Sequence, residues 1–362
     1  MTHPTSVLIE VPAHTLGLDI GDRVCVYRDV LGDGRRGKRG EVPTERTALG
    51  AFFQNLEPSR VVMEACTQSH WISRLAKTSG HEVLVANPRK LESLSKSDKK
   101  TDENDAEFLA RKGRVDVEAL HAIQHCSPEV QVDRELIQAR ALLVRNRVSV
   151  VNHVRSVVKV HGYRLKSCST ECFVKKGWPQ IPEELRPALE SMFEVLRMVS
   201  GQIDELEKKI AALTKSRYPV ARMLSDRFPG IGVLTATSFV LRLEDPKRFS
   251  SSRQVGAYLG LVPRKQQSGE YDPQLHITKA GDKELRRLLV LAANYILGRF
   301  CKDCDLRRFG ERVARGGGKN DRKRAKVAVA RKLAVLMHLM WKRGEVYDPQ
   351  YQTKLSGELQ AS

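Results

Sequence analysis

Long apolar runs are missing from this 362-residue chain. None reaches the roughly 18 uninterrupted residues that a membrane-spanning helix needs, so no transmembrane segment is expected. The opening MTHPTSVLIEVPAH has no basic n-region and no cleavage site, so no signal peptide is read. Cysteines do not come in a framework. There are seven, an odd count, scattered at 25, 66, 126, 168, 172, 301 and 304, which suits a reducing cytoplasm better than a disulfide-built fold. Cys301-Lys302-Asp303-Cys304 is a lone CxxC with no second CxxC or close His pair, so a zinc site would lack half its ligands. Acid is in short supply: 43 Asp and Glu stand against 62 Lys and Arg, a net charge of +19. The basic residues recur throughout, which favours a polyanionic partner, most simply nucleic acid, over a membrane surface.

What acid there is falls in telling places. Leu16, Leu18 and Ile20 alternate as a strand does, and Val24, Val26 and Val30 follow as a second, with Gly-Asp-Gly and the Gly-rich basic tract after it expected as turns between strands. Asp19 lies inside the first strand, where burying a lone carboxylate is costly; a turn-forming Asp beside Gly21 is the plain alternative. Leu49, Phe52, Phe53 and Leu56 recur at helical spacing. Arg60–Ala65 reads as a buried strand carrying Glu64, His70–Gly80 as a short helix and His81–Pro88 as another strand. Then Ser97–Arg111 starts a helix with Asp102 and Asp105 on one face, since residues three apart are neighbours there. Lys96, Lys99 and Lys100 just before them suit a phosphate-bearing substrate. Strands alternating with helices imply an α/β sheet. Four carboxylates converging at its edge would hold Mg²⁺ or Mn²⁺, clamping the attacking and leaving oxygens of a phosphodiester. A solvated acidic helix start is the bland reading of the last two.

Asp133–His161 and Glu183–Arg217 both keep a helix-like apolar period, with a long connection between them, and read as an antiparallel coiled-coil arm for dimerisation or for gripping nucleic acid. Beyond it, Pro229-Gly230-Ile231-Gly232 before an apolar helix resembles a helix-hairpin-helix turn, whose glycines offer backbone N–H groups to a phosphate. Gln254–Leu261 looks helical. The polar loop Pro263–Tyr271 carries Ser268-Gly269 beside Arg264 and Lys265, a setting suited to serine attack on a phosphate. Ser250, Ser251 and Ser252 are rival nucleophiles, or caps of the helix that follows. Lys279, Arg286 and Arg287 are expected phosphate contacts around a helix started near Thr278 or Asp282. The last segment is a basic amphipathic helix after three glycines, with Arg322, Lys323, Arg324 and Lys326 placed against nucleic acid.

Taken together, Asp19 in GLDIG, Glu64 in MEA, and Lys100-Thr101-Asp102 followed by Asp105-Ala106 resemble the DEDD transposases related to the Piv DNA invertase, a family that includes bridge-RNA-guided insertion-sequence recombinases. PGIG, RQVGAYLGLVPR, Ser-Gly and ITKAGDKELRRLL extend the resemblance over the second half. It implies a RuvC-like, RNase H-type domain over 1–125 with the four carboxylates on Mg²⁺. It further implies the coiled-coil arm over 126–222, a mainly α-helical transposase domain over 223–315 and a basic helical tail over 316–362. The serine would form a covalent phosphoserine link to DNA. Partners would be target and donor DNA, a structured noncoding guide RNA and further copies of the chain, a dimer or tetramer with composite active sites, working in the cytoplasm. The family loop commonly reads Ser-Ser-Gly; here it is Gln267-Ser268-Gly269, so a nucleophile at the first position is lost in this chain and one at the second, the position expected here, is Ser268. A RuvC-like nuclease using metal-activated water, and a non-catalytic nucleic-acid scaffold, are the competing functions.

Overall fold

The structure, a computed structural model, describes residues 12–91, 101–269, 271, 273, 275–345 and 347–351. The chain divides into two compact units, Met1–His125 and Cys126–Ser362.

The first unit is built on a five-stranded sheet: β1 (His14–Ile20), β2 (Val24–Leu31), β3 (Arg36–Pro43), β4 (Arg60–Glu64) and β5 (Glu82–Ala86) in the order β3-β2-β1-β4-β5. β1 pairs antiparallel with β2 and β2 with β3, while β1–β4 and β4–β5 are parallel, so β2 alone runs against the rest. Strand alternation sends Leu16, Leu18, Val61 and Met63 to one face. There they join Leu49 and Phe53 of α1 (Arg46–Gln54) and Ile72 and Ala76 of α2 (Ser69–Thr78) in one core. The other face carries α3 (Asp102–Val115) over Val62 and Ala86. The Gly-rich basic tract expected as a turn is strand β3 instead. Its propensity is poor, but Arg36 and Arg39 reach Glu107 at 3.0 Å and Glu103 at 2.7 Å on α3. The backbone ladder with β2 makes a strand of what local sequence reads as a loop, and these exposed ion pairs add a little to it.

Glycine fixes how close α3 comes. A Cβ on Gly17 would lie 1.8 Å from the Ala106 carbonyl oxygen and 2.7 Å from the Ala110 nitrogen. Both are backbone atoms and neither can swing aside. The unit ends on His125, whose Nε2 is 2.9 Å from the Ser69 Oγ at the start of α2 and whose ring stacks on His70 at 3.8 Å.

In the second unit, α4 (Pro128–Val160) and α6 (Arg186–Arg217) are long helices. Asp133 pairs with Arg217 and, two turns on, Arg140 with Glu207, so they run antiparallel. Their far end is closed by α5 (Phe173–Gly177) and the turns after it: Phe173 and Trp178 pack on Phe193 at 5.6 and 4.9 Å. The remaining helices are α7 (Pro219–Arg227), α8 (Val233–Leu243), α9 (Arg253–Tyr258), α10 (Lys283–Ile296), α11 (Asp305–Val313) and α12 (Lys319–Arg343). Phe239, Leu289, Val329, Leu333 and Met337 are all buried in one core. The basic C-terminal helix is therefore a central wall of this core as well as a charged surface. Among the described residues no helix is long and apolar enough to cross a membrane.

Two outcomes follow from this packing. Gly17→Ala should cost about 3 kcal/mol or more in urea unfolding, as overpacking against backbone does, whereas Gly50→Ala, whose Cβ meets nothing nearer than 4.0 Å, should be neutral or stabilising by about 0.5–1 kcal/mol. Burial, then the charges of His70, Arg74 and Lys77, push the His125 imidazole down to about 4. Its folded value lies below its unfolded value of about 6.5. The unfolded chain therefore takes up the proton first on acidification, and this residue's contribution is intact above about pH 6.5 and lost as pH falls toward 4. Wild type and His125→Gln should differ most near neutrality, with the gap in urea midpoint closing over that window.

Candidate active site and nucleic-acid groove

Leu18 and Met63 are register partners on neighbouring parallel strands. The next residues, Asp19 and Glu64, thus stand side by side at the C-terminal ends of β1 and β4. Both share parity with residues facing α3, Asp19 with Gly17 and Glu64 with Val62. The direction of α3 completes the edge. Gly17 lies under Ala106 and Ala110, Val62 under Gly113, and Arg60, nearer the strand start, donates to the Gly113 carbonyl at 2.9 Å. Moving along α3 from N to C therefore means moving back along the strands. Its N-terminus, with Asp102 and Asp105 in the first turn, lies over the strand ends that carry Asp19 and Glu64. Thr101 caps that terminus, its Oγ1 accepting from the Asn104 N–H at 3.2 Å.

The other acids of α3 face elsewhere. Glu103 takes Arg28 at 2.5 Å and Arg39 at 2.7 Å; Glu107 takes Arg111 at 2.8 Å and Arg36 at 3.0 Å. The Arg39 hydrogen bond holds Glu103 below the usual carboxylate range; burial pushes Glu107 up, but its arginine hydrogen bonds outweigh that and hold it low. These clamps set the roll of the helix. The four remaining carboxylates offer only hard oxygen donors, the set a divalent cation such as Mg²⁺ takes. As the side chains stand, no three metal-ligating groups among the described residues are gathered closely enough to hold an ion. Backbone placement and donor chemistry fit a metal; closure of the carboxylates around it is a further step. Lys99 and Lys100 lie outside the described residues.

In the second unit, the segment expected as a polar loop is a narrow hairpin. Lys279 N–H donates to Gly260 O at 3.1 Å, Thr278 to Val262 at 2.9 Å and Arg264 to His276 at 2.9 Å, and Ser268 and Tyr271 exchange bonds of 3.1 and 3.0 Å at the tip. Gly269, at φ +58°, makes the turn. Ser268 is thus presented, exposed, at the hairpin end, with Arg264 and Lys265 exposed on the strand leading to it. The hairpin base is packed backbone on backbone: a Cβ on Gly260 would come 2.2 Å from the Ala280 nitrogen, and one on Gly281 2.2 Å from the Tyr258 oxygen, both glycines having positive φ.

The expected phosphate contacts divide. Arg286 donates to the carbonyls of Ala280 at 2.5 Å and Leu259 at 3.0 Å, so it braces the hairpin base. Arg287 is paired with Glu284 at 2.5 Å. Gly230, at φ +73°, is in a close approach, where an added Cβ would lie 3.0 Å from the Ala292 carbonyl oxygen and the Tyr295 ring, while Gly232 is exposed at the N-cap of α8. Among the rival serines, Ser252 is 2.9 Å from the buried His338 ring, Ser251 accepts from the Arg253 N–H at 3.3 Å, and Ser250 is exposed. Asp282 caps α10 through the Leu285 N–H at 2.9 Å.

Lys279, Lys323 and Arg324 line one cavity of about 690 Å³ between the hairpin and α12, while Arg322 is exposed nearby and Lys326 half-buried. Arg253, His276, Arg331 and Lys332 line it too and were missed. The signal was present for the last two, since 323/324 and 331/332 recur at two-turn spacing on one helix face.

Residues 16–162 match the DEDD transposase family of insertion sequences, and residues 224–307 match the family described as Transposase IS116/IS110/IS902. The transposase for insertion sequence element IS1328 of Yersinia enterocolitica is 32% identical over 70% of this chain and 75% of its own length. The transposase for insertion sequence element IS1111A of Coxiella burnetii is 28% identical over 84% and 83%, and the pilin gene-inverting protein of Moraxella bovis 26% identical over 83% and 85%. With both halves matched in order, the chain belongs to the IS116/IS110/IS902 family of transposases, enzymes of DNA strand transfer, and its first half is a DEDD domain with the RuvC-like fold such a domain implies.

Proposed function

We propose that this chain is the recombinase of a mobile insertion sequence, cutting and exchanging DNA strands with Ser268 as nucleophile and a divalent metal, Mg²⁺ or Mn²⁺, under the direction of a structured bridge RNA. One observation carries the reading: Asp19, Glu64, Asp102 and Asp105 occupy a single edge of the first unit's sheet, in a chain whose second unit holds an exposed serine at a hairpin tip. The pilin gene-inverting relatives support exchange over simple cutting, because inversion rejoins what it cuts.

The division of labour would follow the chain. Residues 1–125 supply the carboxylates. Residues 126–222, α4 and α6 above all, form a coiled-coil arm through which copies pair into a dimer or tetramer. Residues 223–315 carry the serine, with the α7–α8 turn offering the exposed N-terminus of α8 to a phosphate as a helix-hairpin-helix does. Residues 316–362 add a basic surface for target DNA, donor DNA and RNA. Each active site would combine the carboxylates of one copy with the serine of another. The enzyme would work on DNA in the cytoplasm.

In the reaction, Ser268 Oγ attacks a phosphodiester phosphorus, losing its proton. A serine–phosphate ester forms as one P–O bond to a deoxyribose breaks, and the released sugar hydroxyl takes up a proton. One phosphoester replaces another, so no external energy source is needed. A sugar hydroxyl of a second strand then reverses the step, rejoining DNA and freeing the serine. Bound between the carboxylates, the metal would offset charge on the non-bridging oxygens as the phosphorus becomes five-coordinate. Arg264 and Lys265 would supply the same kind of stabilisation from the hairpin.

The test is covalent trapping. End-labelled target and donor DNA, incubated with the protein, Mg²⁺ and RNA from the element's flanks, should give a labelled protein–DNA adduct on a denaturing gel. Ser268→Ala and Asp102→Ala should each lower it on the order of 10³-fold or more. An adduct that survives Ser268→Ala moves the nucleophile to Ser250, Ser251 or Ser252. Cleavage with no adduct makes the enzyme a metal-and-water nuclease, and binding with no cleavage makes it a scaffold.

A further inference from the structure

The cavity between the hairpin and α12 has two kinds of lining that a duplex surface does not need together. Its floor is apolar, with Leu261, Pro263, Ile277, Phe309, Val327 and Val335. Its rim is cationic, with Arg253, Lys279, Lys323 and Arg331, none of which forms an ion pair with a described residue. No aspartate or glutamate lines it. Lys332 shares the wall, its Nζ 4.4 Å from the Phe309 ring centre. Burial, then the charge of Arg312, push its ammonium below the ordinary lysine range. Cations held together over an apolar floor, without a lining carboxylate, repel one another until an anion arrives.

The anion's chemistry can be narrowed. A phosphate alone would leave the floor unused. Duplex DNA shows a groove its sugars and phosphates while its base faces stay stacked, so it too would leave the floor uncovered. An unpaired strand exposes both parts at once: flat apolar bases, and a phosphate at every link. At about 690 Å³ the cavity is the size of a small-molecule pocket, fit for a nucleotide or two taken out of the stack. The lining also fixes where the strand comes from. Pro263 and Ile277, directly bridged across the hairpin, are part of it, and Ser268 lies five residues further along the same strand. At about 3.3 Å per residue that is roughly 17 Å from groove to tip, a few nucleotides of chain.

We propose that this groove takes an unpaired stretch of DNA strand continuous with the phosphate attacked by Ser268, its bases on the apolar floor and its phosphates on Arg253, Lys279, Lys323 and Arg331. This rests on the reading of Ser268 as the nucleophile. It gives the second unit a grip on opened DNA beside the site of attack. A strand seated there is held away from its complement, which favours exchange over re-pairing.

The experiment uses the full chain carrying Ser268→Ala, which cannot form the adduct, and fluorescein-labelled oligonucleotides of one sequence as single-stranded DNA, duplex DNA and single-stranded RNA. Anisotropy should show that Lys323→Glu with Arg331→Glu weakens single-stranded DNA at least about tenfold and duplex less than about threefold. An equal loss on strand and duplex overturns the proposal in favour of a plain phosphate surface; a larger loss on RNA than on DNA overturns the assignment to DNA. A second measurement needs no altered groove. Single-stranded DNA bearing 5-iododeoxyuridine, cross-linked by light, should attach at Phe309 or His276, and attachment confined to other segments overturns the proposal. Groove cross-links without a serine adduct on the Ser268 protein would sink the nucleophile and leave a strand site; an adduct without groove cross-links would do the reverse.

Discussion

Everything in the first unit turns on how closely one helix backbone approaches one strand. With no side chain at Gly17, α3 settles directly on β1, and Ala106 and Ala110 add nothing bulky to hold it off. A helix that low over the sheet cannot slide without breaking backbone contacts. Its roll is then set by charge: Arg28 and Arg39 hold Glu103, and Arg36 and Arg111 hold Glu107. Distance and rotation being fixed separately, the first turn has little freedom left. Asp102 and Asp105 are delivered over the strand ends by packing and ion pairs that run from Glu103 to Gly113 along the helix.

The second unit aims its hairpin by the same means. Two glycines at positive φ, Gly260 and Gly281, let the hairpin base pass against Ala280 and Tyr258. Arg286 then spends its guanidinium on the carbonyls of Leu259 and Ala280. A half-buried arginine bonded to three backbone carbonyls stiffens the segment that carries them, because moving it would break several hydrogen bonds at once. The tip can remain exposed and polar, with Ser268 free of packing demands, because the base carries the rigidity. A rigid base of this kind holds an exposed tip in a defined place without packing around the tip itself.

How much of this was legible in the sequence depended on range. β1, β4, β5 and the start of α3 follow from local apolar patterns, which also put Asp19 inside the first strand, Glu64 on a buried strand and the Asp102/Asp105 pair at a helix start. Their convergence required the strand register and the direction of α3, which only Gly17, Val62 and Arg60 reveal. β3 was unreadable: Arg36–Pro43 is rich in glycine and arginine, and what makes it a strand is its antiparallel pairing with β2, with Arg36 and Arg39 reaching carboxylates of α3 besides. The hairpin was missed for a related reason, since Pro263–Tyr271 has no alternation and its register is pinned by glycines at its base. Arg286 shows the limit of reading charge as contact. From sequence it is a cation in a basic helix start; in the fold its Nη1 already donates to the carbonyls of Leu259, Ala280 and Asp282.

That last point bears on the net charge of +19. Formal charge measures the attraction of a polyanion at a distance, and it steers encounter. It does not count the cations that can touch a phosphate. Arg28, Arg36, Arg39 and Arg111 neutralise α3; Arg140 and Arg217 tie the long helices; Arg286 braces a turn. Other cations stay out of ion pairs in several parts of the chain, and four of them, Arg253, Lys279, Lys323 and Arg331, share a lining that holds no acid. Net charge is therefore a poor guide to contact: an arginine paired with a carboxylate or bonded to a carbonyl adds to the long-range field but has less to offer a phosphate than one in a lining without acid.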